Sequence, residues 1–186
     1  QNVCRASRAL IALGVKVQEN IAVFSQNKPE TMMTDFGAYG IRAVSIPFYA
    51  TSSENQVKYM VTDASVRVLF VGEQYQYDVA IKVMKMCPTL ERIVRFDPDI
   101  KLDPVDKVSL SFEDFLALGD DDTLETQVEA RKAEAGLDDL INILYTSGTT
   151  GAAKGVMLTM RMYRAAIDAN DKALSISEKD VIMNFL

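Results

Sequence analysis

The chain has 186 residues, of which 48% are hydrophobic, and this composition favours a folded globular domain over a disordered segment. Its formal net charge of −6 argues against a nucleic-acid partner, which would need a basic face. The sequence contains no histidine, which excludes within these residues a histidine-activated nucleophile and any histidine metal site.

The two cysteines and the hydropathy pattern bear on the compartment. Cys4 and Cys87 are far apart and form no C-x-x-C motif, so we expect two buried thiols of a cytoplasmic protein rather than a disulfide. No apolar run reaches the roughly 18 to 20 residues that a membrane span needs. We therefore expect a soluble chain with at most a peripheral association with membranes.

Helix and strand patterns alternate through the first half of the chain. Helices are predicted over 2–13, from Pro29 through Tyr39, from a capping box at 51–56, and over 75–86. Short apolar runs predict strands at 21–24, 43–49, 66–71 and 92–96. This alternation implies crossover connections, and it predicts an α/β fold with a layered, mostly parallel sheet and helices on both faces.

The helix that begins at Pro29 carries a stripe of large apolar side chains at helical spacing. We expect this stripe to pack in the core rather than to form a wall against an acyl chain, because periodicity alone needs no ligand to explain it. Its members are Met32, Met33, Phe36 and Tyr39.

The second half of the chain is predicted to contain further helices. Ser111 should cap a short helix over 112–116, and residues 127–135 should form an exposed helix. The acidic run 120–122 is expected to be a solvated helix start rather than a metal site. A helix over 161–174 should turn an apolar side inward, formed by Met162, Ala165, Ala166, Ala169 and Ala173. Arg161 and Arg164 of this helix should face solvent, and an apolar strand is predicted over 181–186.

A glycine- and hydroxyl-rich loop lies between two apolar runs, 140–145 and 156–158, each of strand length. Residues 146–155 read Thr-Ser-Gly-Thr-Thr-Gly-Ala-Ala-Lys-Gly. The glycines allow backbone N–H groups to converge on one point, and Lys154 supplies a positive charge. Additional donors come from the hydroxyls of Thr146, Ser147, Thr149 and Thr150. The pattern predicts a strand, a phosphate-binding loop and a second strand.

Three better-known loops do not fit these residues. A Walker A loop would need glycine in place of Ala153 and Ser or Thr in place of Gly155. The dinucleotide-binding pattern lacks its first glycine pair, and a serine-hydrolase elbow would need glycine in place of Tyr145, two residues before Ser147. A mobile surface loop is the remaining alternative, although flexible linkers seldom have apolar strands on both sides.

Residues 145–159, Tyr-Thr-Ser-Gly-Thr-Thr-Gly-Ala-Ala-Lys-Gly-Val-Met-Leu-Thr, resemble the signature of the adenylate-forming (AMP-binding) superfamily. This superfamily includes acyl-CoA synthetases, luciferases and peptide-synthetase adenylation domains. Residues 13–53 are similar to the first α/β subdomain of bacterial long-chain fatty acyl-CoA synthetases. The chain departs from the family pattern at Ala153, where proline is usual, at Met160, where histidine is usual, and at Thr31, where an aromatic residue is common.

The resemblance implies a reaction and a set of ligands. In the family this loop holds the β- and γ-phosphates of ATP while a carboxylate attacks the α-phosphate, which gives an acyl-adenylate and pyrophosphate. The implied cofactors are ATP, Mg²⁺ and, as co-substrate, CoA, and the implied carboxylate is a long-chain fatty acid. The resemblance assigns catalytic charge stabilisation to Lys154 and a hydroxyl on the Mg²⁺ side to Thr146. The implied ATP-binding residues are Thr146, Ser147, Gly148, Thr149, Thr150, Gly151 and Lys154.

We expect the chain to be a partial N-terminal AMP-binding domain over 1–186. It would consist of an α/β subdomain at 1–135, a phosphate-loop segment at 136–160, and a following helix and strand at 161–186. Family members continue with adenine-binding segments, a Mg²⁺-binding glutamate, a ribose-binding aspartate and a small C-terminal domain with an adenylation lysine. We therefore expect these residues to need the rest of a parent chain for ligase activity, and their exposed edges to allow oligomerisation.

Two other classes of function stay open at this point. A Ser–Lys hydrolase also uses a Gly/Ser-rich loop with a lysine, and it would use Ser147 as its nucleophile without any histidine. Alternatively, the chain could be a non-catalytic nucleotide-binding module.

Overall fold

The computed structural model describes residues 1–146, 153–174 and 177–181. In chain order the helices and strands are α1 (Asn2–Ala12), β1 (Asn20–Phe24), α2 (Pro29–Gly40), β2 (Val44–Phe48), α3 (Glu54–Asp63), β3 (Val68–Val71), α4 (Gln74–Met84), β4 (Arg92–Arg95), β5 (Ser109–Ser111), α5 (Phe112–Ala117), α6 (Glu125–Ala133), β6 (Leu140–Thr146), β7 (Lys154–Thr159) and α7 (Met160–Leu174). Of the predicted strand at 181–186, residues 182–186 lie outside the described residues. Within the described ranges, no helix is both long and apolar enough to cross a bilayer.

The strands form one seven-stranded sheet in the order β5-β4-β3-β1-β2-β6-β7. All neighbouring pairs are parallel except β6 and β7, which are antiparallel. The predicted α/β class with a mostly parallel sheet is therefore confirmed. The sequence did not predict β5, because three residues are too few to give a periodic signal.

Two apolar clusters cover the two faces of the sheet. One contains Val57 and Val61 of α3 together with Ala80 of α4. The other contains Leu10 of α1 and Phe115 of α5, and α2 and α6 also lie on this face. Since the helices that follow β1 and β2 lie on opposite faces, the loops that leave these two adjacent strands diverge. That divergence opens a crevice at the carboxyl ends of the strands.

Two predicted helix starts are confirmed by their hydrogen bonds. Ser53 caps α3 in a capping box with Gln56, which satisfies two backbone N–H groups at the helix start. Ser111 caps α5, because its hydroxyl accepts a hydrogen bond from the backbone N–H of Asp114 at 3.0 Å.

The prediction that the apolar stripe of α2 packs in the core is wrong for Met32 and Phe36. Met32 is 56% exposed and Phe36 is 50% exposed. The buried face of α2 contains Thr34, Gly37 and Ala38 instead. A Cβ atom on Gly37 would lie 2.7 Å from the Cβ of Ala6 in α1, so the two helices approach too closely for large side chains. The apolar stripe therefore faces away from α1.

The predicted inward side of α7 is also wrong in the described part of the chain. Met162, Ala165, Ala166, Ala169 and Ala173 are all exposed. The helix follows β7, an edge strand, and its side-chain hydrogen bonds to the rest of the described chain come from its first turn. Nothing among the described residues lies over its later turns.

The expectation of two buried cysteines is wrong for Cys4, whereas the acidic run is placed as expected. Cys87 is buried but Cys4 is exposed, and both are free thiols. Asp120 is bound by Arg5 of α1 through two hydrogen bonds of 2.6 and 2.8 Å, and Asp122 lies 3.5 Å from Arg8. All three aspartates of the run are exposed, and Asp121 caps the short 3-10 turn that begins at Asp122, so the expected solvated helix start is confirmed. Two of the three also form ion pairs with α1.

Candidate functional site

An open cleft of about 560 Å³ lies at the carboxyl ends of β1, β2 and β6. It occupies the crevice between the diverging loops after β1 and β2, which is where open α/β sheets usually bind ligands. Its polar lining includes Ser25, Gln26, Asn27, Tyr49, Tyr145 and Thr146. Thr146, one of the predicted site residues, is thus placed at this cleft.

The predicted pair of strands around the phosphate loop is confirmed as an antiparallel hairpin, β6–β7. Thr146 is the register partner of Lys154, and Tyr145 is the partner of Gly155. Register partners in such a ladder have Cα atoms about 5 Å apart, so the hairpin brings Thr146 and Lys154 together at its loop end. Both residues are exposed. The remaining predicted site residues, Ser147, Gly148, Thr149, Thr150 and Gly151, lie outside the described residues.

Close packing characterises the hairpin next to this pair. A Cβ atom on Gly155 would lie 2.9 Å from Cγ2 of Ile143 and 3.4 Å from Cζ of Tyr145. Only glycine therefore lets the Tyr145 ring lie against β7. Tyr145 is buried there, with 7% of its surface exposed. The sequence suggested Gly155 as a loop residue, but its structural role is this close approach.

Helix α3 contacts β6 and the residue just before β7 through Tyr59 and Asp63, which no sequence motif marks. The hydroxyl of Tyr145 donates to a carboxylate oxygen of Asp63 at 2.6 Å. Burial, together with this carboxylate, raises the pKa of the Tyr145 phenol above its usual range. The hydroxyl of Tyr59 donates to the carbonyl oxygen of Ala153 at 3.0 Å, and the rings of Tyr59 and Tyr145 meet edge to face at 6.3 Å.

A second polar cluster anchors the other end of β6. The buried Asn142 donates through Nδ2 to the carbonyl oxygen of Ser45 in β2 at 2.8 Å. Its Oδ1 accepts from the hydroxyls of Tyr39 in α2, at 3.1 Å, and Tyr163 in α7, at 2.7 Å. The Ser45 hydroxyl donates to Asp35 at 2.6 Å, and burial raises the pKa of the Asp35 carboxyl. Asn142 therefore joins β6 to β2, α2 and α7.

Arg161 and Arg164 of α7 face solvent, as predicted. Arg161 makes two hydrogen bonds with the exposed Asp138, at 3.0 and 3.1 Å, and Arg164 is exposed. Neither lines the cleft at the carboxyl ends of β1, β2 and β6.

Residues 1–186 match the AMP-binding enzyme family over the whole chain. The chain belongs to this family. The resemblance drawn from residues 145–159 is thereby confirmed, and the fold agrees with it. The anthranilate CoA ligase AuaEII, solved in complex with anthranoyl-AMP, superposes with a TM-score of 0.74 at 23% sequence identity, covering 90% of this chain and 30% of that chain. At this identity the superposition shows a shared fold.

Two curated relatives of this AMP-binding chain carry names from fatty-acid activation. Fatty acyl-CoA synthetase A of Dictyostelium discoideum is 32% identical over 186 residues, which cover 96% of this chain and 26% of the relative. The long-chain-fatty-acid–CoA ligase ACSBG2 of Homo sapiens is 30% identical over 190 residues, which cover 98% of this chain and 27% of the relative. The chain thus spans about a quarter of the length of these relatives.

Proposed function

We propose that the full-length protein containing this AMP-binding chain is an ATP-dependent acyl-CoA ligase. It would activate a long-chain fatty acid as an acyl-adenylate and transfer the acyl group to CoA. The observation that carries this proposal is the register of the β6–β7 hairpin, which pairs Thr146 with Lys154 beside the cleft at the carboxyl ends of the parallel strands. The names of the curated relatives support the substrate class.

The donor groups at this end of the hairpin fit a polyphosphate. Lys154 supplies an ammonium charge and Thr146 a hydroxyl, and neither strand of the hairpin, Leu140–Thr146 or Lys154–Thr159, contains a carboxylate that would repel phosphate. Bound ATP would supply the activated α-phosphate on which the adenylate forms. In this proposal the N–H groups of residues 148–151 and the hydroxyls of Ser147, Thr149 and Thr150 complete the phosphate contacts.

The proposed Mg²⁺ contact uses one protein oxygen. The described residues contain no group of three or more carboxylate or thiol side chains that could hold a metal ion by themselves. Because Mg²⁺ in nucleotide sites is held largely by substrate phosphates and water, with one or two protein oxygens, the Thr146 hydroxyl is a sufficient partner from this chain. No contact to CoA is assigned to the described residues.

The role of this chain in adenylation is to position and to stabilise charge. As the bond to pyrophosphate breaks, negative charge grows on the leaving oxygens, and the Lys154 ammonium would stabilise it electrostatically. The hairpin holds Lys154 and Thr146 opposite each other before the reaction, so little reorganisation is needed at that moment. No covalent protein nucleophile takes part in this scheme.

The test is Lys154→Ala in the full-length protein, measured by ATP–pyrophosphate exchange with a long-chain fatty acid. Loss of a charge-assisted contact of about 1.5 to 3 kcal/mol should lower the rate tenfold to a hundredfold. Lys107→Ala is the matched control, because Lys107 is exposed and precedes β5 at the opposite edge of the sheet. An unchanged rate in Lys154→Ala would remove this lysine from the mechanism. Absence of exchange in the unmodified protein would overturn the ligase proposal.

The alternatives make different predictions. A Ser–Lys hydrolase would be labelled covalently at Ser147 by a serine-directed phosphonate, whereas the ligase would not. A non-catalytic nucleotide-binding module would bind ATP without any exchange. We further propose that the isolated 186-residue polypeptide has no ligase activity, and detectable exchange by this polypeptide would contradict that.

A further inference from the structure

Helix α3 contacts the β6–β7 hairpin on both sides of the phosphate loop. Tyr59 and Asp63 are four residues apart, so they share one face of the helix. Asp63 accepts a hydrogen bond at 2.6 Å from the hydroxyl of Tyr145, the last residue but one of β6. Tyr59 donates to the carbonyl oxygen of Ala153, the residue immediately before β7, at 3.0 Å. The two ends of the loop are thus tied to one rigid element 82 and 94 positions away in sequence.

The contact made by Tyr59 acts on the peptide that leads into Lys154. The Ala153 carbonyl and the Lys154 N–H belong to one planar peptide unit, which also contains the Cα of Lys154. A hydrogen bond that fixes this carbonyl therefore fixes the position of the Lys154 Cα, and the pairing of Lys154 with Thr146 in the ladder sets its φ. Together the two contacts direct the Lys154 side chain. Proline, which would restrict φ at position 153, is absent here, since the residue is alanine.

The contact made by Asp63 acts on the opposite strand. The Tyr145 ring lies between the Tyr59 ring and Gly155, which has no side chain to displace it. The centroids of the two tyrosine rings are 6.3 Å apart. A carboxylate that accepts a short hydrogen bond from this buried phenol holds the ring in a single orientation. Since Thr146 follows Tyr145 directly, the same contact fixes the residue opposite Lys154.

We propose that Tyr59 and Asp63 are positioning residues, which hold the two strands of the hairpin so that Lys154 and Thr146 meet the phosphates of ATP. Neither residue touches the nucleotide; each acts through a hairpin residue. This inference rests on the proposed function, because it assigns Lys154 to the ATP phosphates.

The first test compares two Tyr→Phe changes in the full-length protein. Tyr59→Phe removes only the hydroxyl that binds the Ala153 carbonyl. Tyr75→Phe is the matched control, because the hydroxyl of Tyr75 also donates to a backbone carbonyl at 3.0 Å, that of Ser52. Displacement of a catalytic group by about 1 Å costs on the order of a hundredfold in rate. We expect Tyr59→Phe to lower kcat/KM for ATP by about tenfold and to leave the KM for the fatty acid unchanged, and Tyr75→Phe to change neither.

The second test examines the carboxylate and its connection to Lys154. Asp63→Ala should weaken ATP binding in titrations, whereas Asp63→Asn should restore most of it, because the amide oxygen can still accept from Tyr145. If Tyr59 acts through Lys154, Tyr59→Phe should have little further effect on ATP binding in a protein that already carries Lys154→Ala. Full additivity of these two changes would overturn the inference.

The outcomes separate this inference from the proposed function. If Lys154→Ala weakens ATP binding and Tyr59→Phe acts no differently from Tyr75→Phe, the positioning role is wrong and the ligase proposal stands. If Lys154→Ala leaves both ATP binding and the exchange rate unchanged, Lys154 is removed from the mechanism and the inference fails with it. Absence of exchange in the unmodified protein would instead overturn the ligase proposal itself. Weaker ATP binding in Tyr59→Phe and in Asp63→Ala, with near-normal binding in Tyr75→Phe and Asp63→Asn, supports the positioning role.

Discussion

Replacing Asn142 by alanine should destabilise the sheet at the base of the candidate site. Asn142 is a buried polar residue within β6, with 6% of its surface exposed. Its amide makes one hydrogen bond to the Ser45 carbonyl at 2.8 Å and accepts two from tyrosine hydroxyls, Tyr39 at 3.1 Å and Tyr163 at 2.7 Å. The substitution removes all three contacts at once, and it therefore weakens the attachment of β6 to β2, α2 and α7 together.

The magnitude follows from the surroundings of each partner. The Ser45 carbonyl would lose the donor of a buried hydrogen bond, and an unsatisfied buried group costs about 1 to 3 kcal/mol. The two tyrosine hydroxyls are partly exposed, so water can replace the lost contact, and each should contribute at the lower end of about 0.5 to 1.5 kcal/mol. We expect a total loss of about 3 kcal/mol in the free energy of unfolding.

Urea unfolding of the full-length protein measures this change. Asn55→Ala is the matched control, because Asn55 is exposed on α3, and such surface changes usually fall within about 0.5 kcal/mol. Tyr163→Phe should give a loss of about 1 kcal/mol or less, because it removes one of the three contacts. A cost for Asn142→Ala no larger than that of Asn55→Ala would refute the reasoning that the network ties β6 to its neighbours.

Two further predictions concern the hairpin and the partly buried carboxyl of Asp35. Gly155→Ala would place a Cβ atom 2.9 Å from Cγ2 of Ile143, so we expect overpacking that costs about 1 to 3 kcal/mol in urea unfolding. Gly136→Ala, where a Cβ atom would meet nothing within 4 Å, is its control, and equal effects of the two changes would contradict the packing argument. The raised pKa of Asp35 means that the folded protein keeps this proton to higher pH than the unfolded chain, so the contribution of Asp35 to stability is greatest in acid and falls as pH rises. The free energy of unfolding of Asp35→Asn should therefore increase relative to that of the unmodified protein as pH rises above about 4, the usual pKa of an aspartate. A difference between the two free energies that does not vary with pH would contradict this.

The hairpin was the most predictable part of the candidate site. Two apolar runs of strand length on either side of a glycine-rich loop predicted two strands joined by that loop, and β6 and β7 confirm them. The register that pairs Thr146 with Lys154 could be read only from the structure. Asn142 was present in the first run as one polar residue among apolar neighbours. A polar residue inside an apolar strand is a signal that a buried hydrogen-bond partner is needed. Its partners in α2, β2 and α7 could not be inferred from that signal.

The sequence of this AMP-binding chain determined by itself the alternation of strands and helices, the helix starts at Ser53 and Ser111, and the hairpin around the loop. These features depend on interactions between residues close together in the chain, such as side-chain caps and the period of apolar residues. Only the tertiary structure decided that α2 turns Phe36 outward, that Cys4 is exposed, and that α3 holds the hairpin through Tyr59 and Asp63. Periodicity shows that a helix has an apolar side, but the element that approaches it, and how closely, depends on packing between residues far apart in the sequence.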